Sequence, residues 1–102
     1  MTGPKRRGFW MADLPASVHA DIGGLRPGQR YTVIQAFRDY DGDDHPVGET
    51  WIFLGHNFLP YDDGLSLFVS KSGDDEWHIR MQWRPEEQGP IIDAFDRYVR
   101  RD

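Results

Sequence analysis

Hydrophobic and polar positions alternate most cleanly between Trp77 and Arg84. Trp77, Ile79, Met81 and Trp83 fall on one face and His78, Arg80, Gln82 and Arg84 on the other, the period of a strand with one wet side. Three further segments read as strands. Tyr31–Phe37 is β-branched and aromatic and runs into a loop over Asp39–Gly48. Thr50–Leu54 is apolar on both faces and suits a central position. Leu65–Val69 places Leu65, Leu67 and Val69 together. Turn chemistry separates them: Arg26-Pro27-Gly28-Gln29 fits a type II turn, and Ser72-Gly73-Asp74-Asp75 fits a hairpin. The period then changes. Ile91, Ile92, Phe95, Tyr98 and Val99 make one stripe of a helix, with Pro90 at its first position, Asp93 toward its start and Arg97, Arg100 and Arg101 toward its end. A shorter helix is expected from Asp13 to Ile22, with Asp13 as N-cap and Gly23-Gly24 as its stop. These elements predict an α+β, mainly β fold. A small antiparallel sheet curls toward a partly open SH3-like barrel, with a C-terminal amphipathic helix over an open side and a short N-terminal helix. Residues 1–8 read as a flexible tail and 9–102 as a single globular domain.

Composition narrows the class. The 102 residues include 4 Trp, 4 Tyr and 6 Phe, enough rings for a packed core and unlike a disordered chain. The absence of cysteine excludes disulfides, thiolate metal sites and a Cys nucleophile. No apolar run is long enough to span a membrane, and no secretory leader is visible, so a cytoplasmic protein is expected. Net charge is −5, unevenly spread. Residues 1–38 carry six basic and two acidic groups, residues 39–76 carry ten acidic groups against Lys71, and residues 77–102 balance at five each. The acidic middle argues against nucleic acid and mildly for a basic partner.

Little of the chain looks like chemistry. Asp39-Tyr40-Asp41-Gly42-Asp43-Asp44-His45 resembles the opening of a calcium loop, but the pattern requires Gly at position six and an acidic residue at position twelve. Asp44 and Thr50 occupy those places. His45, His56 and His78 lack zinc-ligand spacing, so neither a metal nor another cofactor is expected. Ser17, Ser66, Ser70 and Ser72 sit in no nucleophile elbow. Tyr61-Asp62-Asp63-Gly64 reads as a turn, with Gly64 taking positive φ, although the paired carboxylates could serve acid–base chemistry. Phe68 shares a strand face with Ser66 and is either core or an exposed anchor.

One further feature is a resemblance. Gly28-Gln29-Arg30-Tyr31-Thr32-Val33, Phe37–Gly42, Gly48–Gly55, Asn57-Phe58-Leu59-Pro60-Tyr61-Asp62-Asp63-Gly64-Leu65-Ser66 and Ile79–Arg84 carry it. Over Leu25–Ile92 the chain resembles a small domain family without characterised function. The resemblance implies no activity, cofactor or site residue. The residues themselves favour a non-enzymatic module for a protein or peptide, with acidic loops around aromatic anchors suiting a basic partner. The rival is a small-ligand-binding domain or minor enzyme, with Asp62, Asp63, His56 and Arg84 around a pocket lined by Trp51 and Trp83. Binding candidates are therefore Trp51, His56, Tyr61, Asp62, Asp63, Phe68, Trp83 and Arg84.

Overall fold

The computed structural model describes residues 1–59 and 63–102. Six strands form one antiparallel sheet: β1 (Thr2–Arg6), β2 (Arg30–Val33), β5 (Thr50–Leu59), β6 (Gly64–Ser70), β7 (Asp75–Gln82) and β8 (Val99–Arg101). Their spatial order is β1-β7-β6-β5-β2-β8, and a separate hairpin pairs β3 (Phe37–Arg38) with β4 (Asp44–His45). The fold is mainly β with little helix.

The alternation read from the sequence sets which face is dry. Leu65, Leu67 and Val69 of β6 lie directly across from Met81, Ile79 and Trp77 of β7. With Trp51 and Phe53 of β5 they form the floor of the core, and Leu25, Phe37, Ile92 and Phe95 close it from above. The opposite face carries Ser66, Phe68 and Ser70 of β6 beside Glu76, His78 and Arg80 of β7. There Phe68 packs with Met11 and Val18 in a second, smaller cluster, joined by Trp10, Leu14 and Leu54. A bulge between Phe53 and Gly55 shifts the register of β5. It turns Gly55 toward this second layer, where a Cβ would lie 2.3 Å from the Val18 carbonyl oxygen. Only glycine permits that approach.

Four expectations are corrected. Residues 1–8 are not simply a tail: Thr2–Arg6 is the edge strand β1, pairing Lys5 with Glu76 and Arg6 with Asp75. The helix expected over 13–22 is instead two short 3₁₀ turns, Met11–Asp13 and Ala16–His19. Pro15 is the reason, since it drives Leu14 into extended backbone (φ −92°, ψ 153°). The C-terminal helix shrinks to α1 (Gly89–Ile92), followed by a 3₁₀ turn over Phe95–Arg97 and then β8. Of its five-residue apolar stripe, Ile92, Phe95 and Val99 are buried at 2%, 1% and 5% exposure, and Ile91 and Tyr98 are half-buried against the core. Pairing β8 with the open side of β2 satisfies backbone groups that a continued helix would leave bare. The positive φ before β6 belongs to Asp63 (φ 51°), while Gly64 opens the strand opposite Leu59 and Gln82. The rest of that predicted turn, Tyr61 and Asp62, lies outside the described residues. Among the described residues no helix is long and apolar enough to cross a membrane.

Candidate functional site

The second face of β6 and β7 holds a cleft of about 520 Å³, lined chiefly by Tyr40, Ser66, His78, Arg80, Gln82 and Arg84. Strand register brings these residues together, because Ser66 lies opposite Arg80, and His78, Arg80 and Gln82 alternate on one face. His78 Nε2 is 2.8 Å from Ser66 Oγ. Its ring stacks on Phe68 (centroids 5.1 Å apart) and meets Trp10 at 5.6 Å. Burial lowers the His78 pKa, Asp41 opposes this and Arg80 adds to it, so the imidazole is neutral at pH 7. Arg80 is aimed by two neighbours: Asp41 Oδ1 lies 3.3 Å from its Nε, and the Tyr40 ring lies under its guanidinium at 5.3 Å. The Tyr40 N–H also donates to the Arg80 carbonyl at 2.8 Å, fastening the β3–β4 loop to the β7 edge. At the far end Arg84 donates from Nε to Asp63 Oδ2 at 3.1 Å. Two oriented guanidiniums beside a hydroxyl and a neutral imidazole form a donor-rich surface suited to an anion. Acyl transfer is less well served. Ser66 sits inside a strand paired on both sides, whose backbone N–H groups are committed to the ladder and do not form an oxyanion hole.

A second polar group is wholly structural. His45 is fully buried, with Nε2 at 2.8 Å from Asp39 Oδ2 and Nδ1 at 2.6 Å from Glu49 Oε1. The Trp51 indole N–H donates to Glu49 at 3.0 Å, the Asp43 N–H to Asp39 at 3.0 Å, and Phe37 stacks on the imidazole at 4.7 Å. The Met1 ammonium contacts Asp39 and Asp43. Burial disfavours the imidazolium, but hydrogen bonds from it to Glu49 and Asp39 and their charges outweigh burial and raise the His45 pKa. Burial opposes ionisation of Asp39 and Glu49 too, and the His45 contacts overcome it, so both are lowered. Among the described residues no group of three or more His, Asp or Glu side chains is placed to hold a metal ion.

The residues singled out in the sequence do not converge. Trp51 lies in the core at 1% exposure with its N–H on Glu49, remote from any role as a pocket wall. Phe68 is buried between Trp10 and His78 and serves as the floor of the second layer. His56 is half-buried, with Nδ1 3.2 Å from the Ala20 carbonyl oxygen. Trp83 is partly exposed, edge-on to Phe58 at 5.7 Å, and donates to Asp93 at 2.8 Å. Asp63 meets the cleft only through Arg84, and Arg84 lines it directly. Tyr61 and Asp62 are outside the described residues. Ser66, His78, Arg80 and Gln82 were legible as one wet face per strand, but alternation alone does not show that the two faces adjoin.

The description "domain of unknown function (DUF3601)" attaches to a family model matching residues 23–100. The chain belongs to this family. Its match to DUF3601 spans every residue named in the cleft and begins after β1 and both N-terminal 3₁₀ turns. A solved integron cassette protein from the mobile metagenome of Vibrio cholerae is similar to it: 40% identical, with a TM-score of 0.78, over 83% of this chain and 93% of that one. No curated protein matches the chain. The resemblance to an uncharacterised domain family is thus shown, and DUF3601 carries no assigned function.

Proposed function

We propose that the chain is a non-enzymatic binding domain that takes a small anionic ligand in the β6–β7 cleft. The observation that carries this reading is the aiming of Arg80 into that cleft by Asp41 and Tyr40, beside the Ser66–His78 pair. A carboxylate behind an arginine orients the guanidinium without occupying its whole fork of donors. An SH3-like curl of the sheet belongs to the same proposal: it wraps the strands round the Trp51–Phe95 core and leaves this face outward. Titration with succinate, followed by amide shifts of β6 and β7, tests the reading. Saturable shifts centred on Ser66, His78 and Arg80, weakened about tenfold or more in Arg80→Gln, are expected. Unperturbed spectra at ~10 mM succinate would overturn it.

A second reading, a protein or peptide module, is favoured by the exposed Phe58, Leu59 and Trp83, at 39%, 49% and 37% exposure, of which Leu59 lines the cleft while Phe58, across from Leu65, meets Trp83 edge-on. The basic partner expected from the sequence draws less support. Asp41, Asp43 and Asp44 each already face a cation, namely Arg80, the Met1 ammonium and Arg38. Phe58→Ala with Trp83→Ala leaves succinate binding intact under the first reading and removes partner capture under the second.

A further inference from the structure

The two arginines of the cleft are held apart by acids from different loops. Asp41, between β3 and β4, lies 3.3 Å from Arg80 Nε, and Asp63, just before β6, lies 3.1 Å from Arg84 Nε. The first acid draws its guanidinium toward the outer edge of β7, where the Tyr40 N–H meets the Arg80 carbonyl, and the second toward the start of β6. Four steps of chain separate the two residues, at most about 14 Å. Both side chains stay open to solvent, at 50% and 44% exposure, and both line the cleft, so a molecule lying in it reaches either one. On the floor Gly64, across from Gln82, adds no side chain, and the exposed Leu59 supplies an apolar wall. The volume, about 520 Å³, is that of a site for a drug-sized ligand and far exceeds a four-carbon diacid.

We propose that the ligand of the cleft is an elongated dianion, one charge held at Arg80 and the other at Arg84, with an apolar spacer lying along Leu59. This deepens the anion-binding reading and rests on it. Two cations pulled toward different anchors cannot both close on one compact anion, whereas two joined charges make the second contact an intramolecular one. A charged hydrogen bond at each end then adds to affinity only when the spacer is long enough.

Succinate, suberate and octanoate serve as probes, measured by calorimetry on the full chain. Suberate has eight carbons against four in succinate, and octanoate matches its length with a single charge. The wild type should bind suberate about tenfold or more tightly than either. Arg84→Gln should bring suberate down to the level of octanoate and leave succinate, held at Arg80, unchanged. Arg84→Lys should keep most of the suberate advantage. The Arg84–Asp63 pair is exposed, so these substitutions should leave the melting temperature within a few degrees of wild type. Suberate binding no tighter than succinate, or an advantage over octanoate that survives Arg84→Gln, would overturn the dianion inference and leave anion binding standing. Failure of succinate at ~10 mM would overturn the two together.

Discussion

Glu76 ties residues 7–11 to the sheet. Its Oε2 accepts from the Gly8 N–H at 2.6 Å and from Arg7 Nη1 at 3.2 Å, and its Oε1 from the N–H groups of Trp10 and Met11 at 2.9 and 3.2 Å. One carboxylate thus satisfies three donors of an irregular segment that has no ladder of its own. Glu76→Ala strands those donors and the arginine, and should cost about 3–5 kcal/mol in urea denaturation. A loss under about 1 kcal/mol would show that water replaces the carboxylate. The sequence showed Glu76 only as one more acid after a hairpin, because its four partners converge through tertiary structure and not through spacing. Gly55 was equally silent: a glycine inside a strand signals close approach, but not of what. Here it is the Val18 carbonyl, so Gly55→Ala should destabilise by about 1–3 kcal/mol or more through overpacking against backbone. A neutral result would mean that the 3₁₀ turn over Ala16–His19 moves aside freely.

The β3–β4 hairpin is held by buried charge as well as by Phe37 in the core, and the charged part makes its contribution pH-dependent. Folding raises the His45 pKa, so its stabilisation is complete below the ordinary value of 6.5 and is lost as pH rises through the raised one. Folding lowers Asp39 and Glu49, so theirs is present above ordinary values of 3.8 and 4.5 and is lost as pH falls through the lowered ones. His56 and His78 are lowered and act oppositely to His45 near neutrality. The His45 share is therefore read as a difference: the gap in unfolding free energy between wild type and His45→Gln should narrow on going from pH 6 to pH 9. A gap constant across that range would mean that His45 is neutral in the cluster. The C-terminal segment shows the opposite balance of legible and illegible. Its stripe of Ile92, Phe95 and Val99 correctly marked buried positions, and Phe95→Ala should cost about 3–5 kcal/mol by urea melts. The helical period did not reveal that the open edge of β2 would draw Val99–Arg101 into a strand, since that competition is between backbone pairings distant in sequence. Strands with strict alternation, β6 and β7, were readable for the converse reason: one face is dry along their whole length.

At the scale of the molecule, the sheet has two faces, and the family match accounts for the covering of only one. Residues 23–100 contain the main core and its cover, from Leu25 to Val99. The second face is sheltered by residues that precede the match: Trp10, Met11, Leu14 and Val18 lie over Phe68, and β1 pairs with the outer edge of β7. Removing residues 1–22 would uncover Phe68, leave Glu76 without Gly8, Trp10 and Met11, and turn β7 into a bare edge strand. Exposed strand edges pair with other chains, and a buried carboxylate without donors opposes folding. A chain beginning at residue 23 should therefore lose several kcal/mol of a total that for such domains is about 5–15 kcal/mol. It should also self-associate as concentration rises, read together by urea denaturation and by light scattering after size exclusion. Its main core should survive, with Trp51 and Phe95 still protected, because none of their neighbours in that cluster is deleted except Met1 and Ile22. The cleft should fare worse than the core. His78 loses the Trp10 ring at 5.6 Å and its shelter from water, and its lowered pKa should move back toward the ordinary value of 6.5, measurable by NMR titration. A truncated chain that stays monomeric, keeps wild-type stability and leaves His78 unshifted would show that residues 1–22 are an appendage rather than the second layer of the domain.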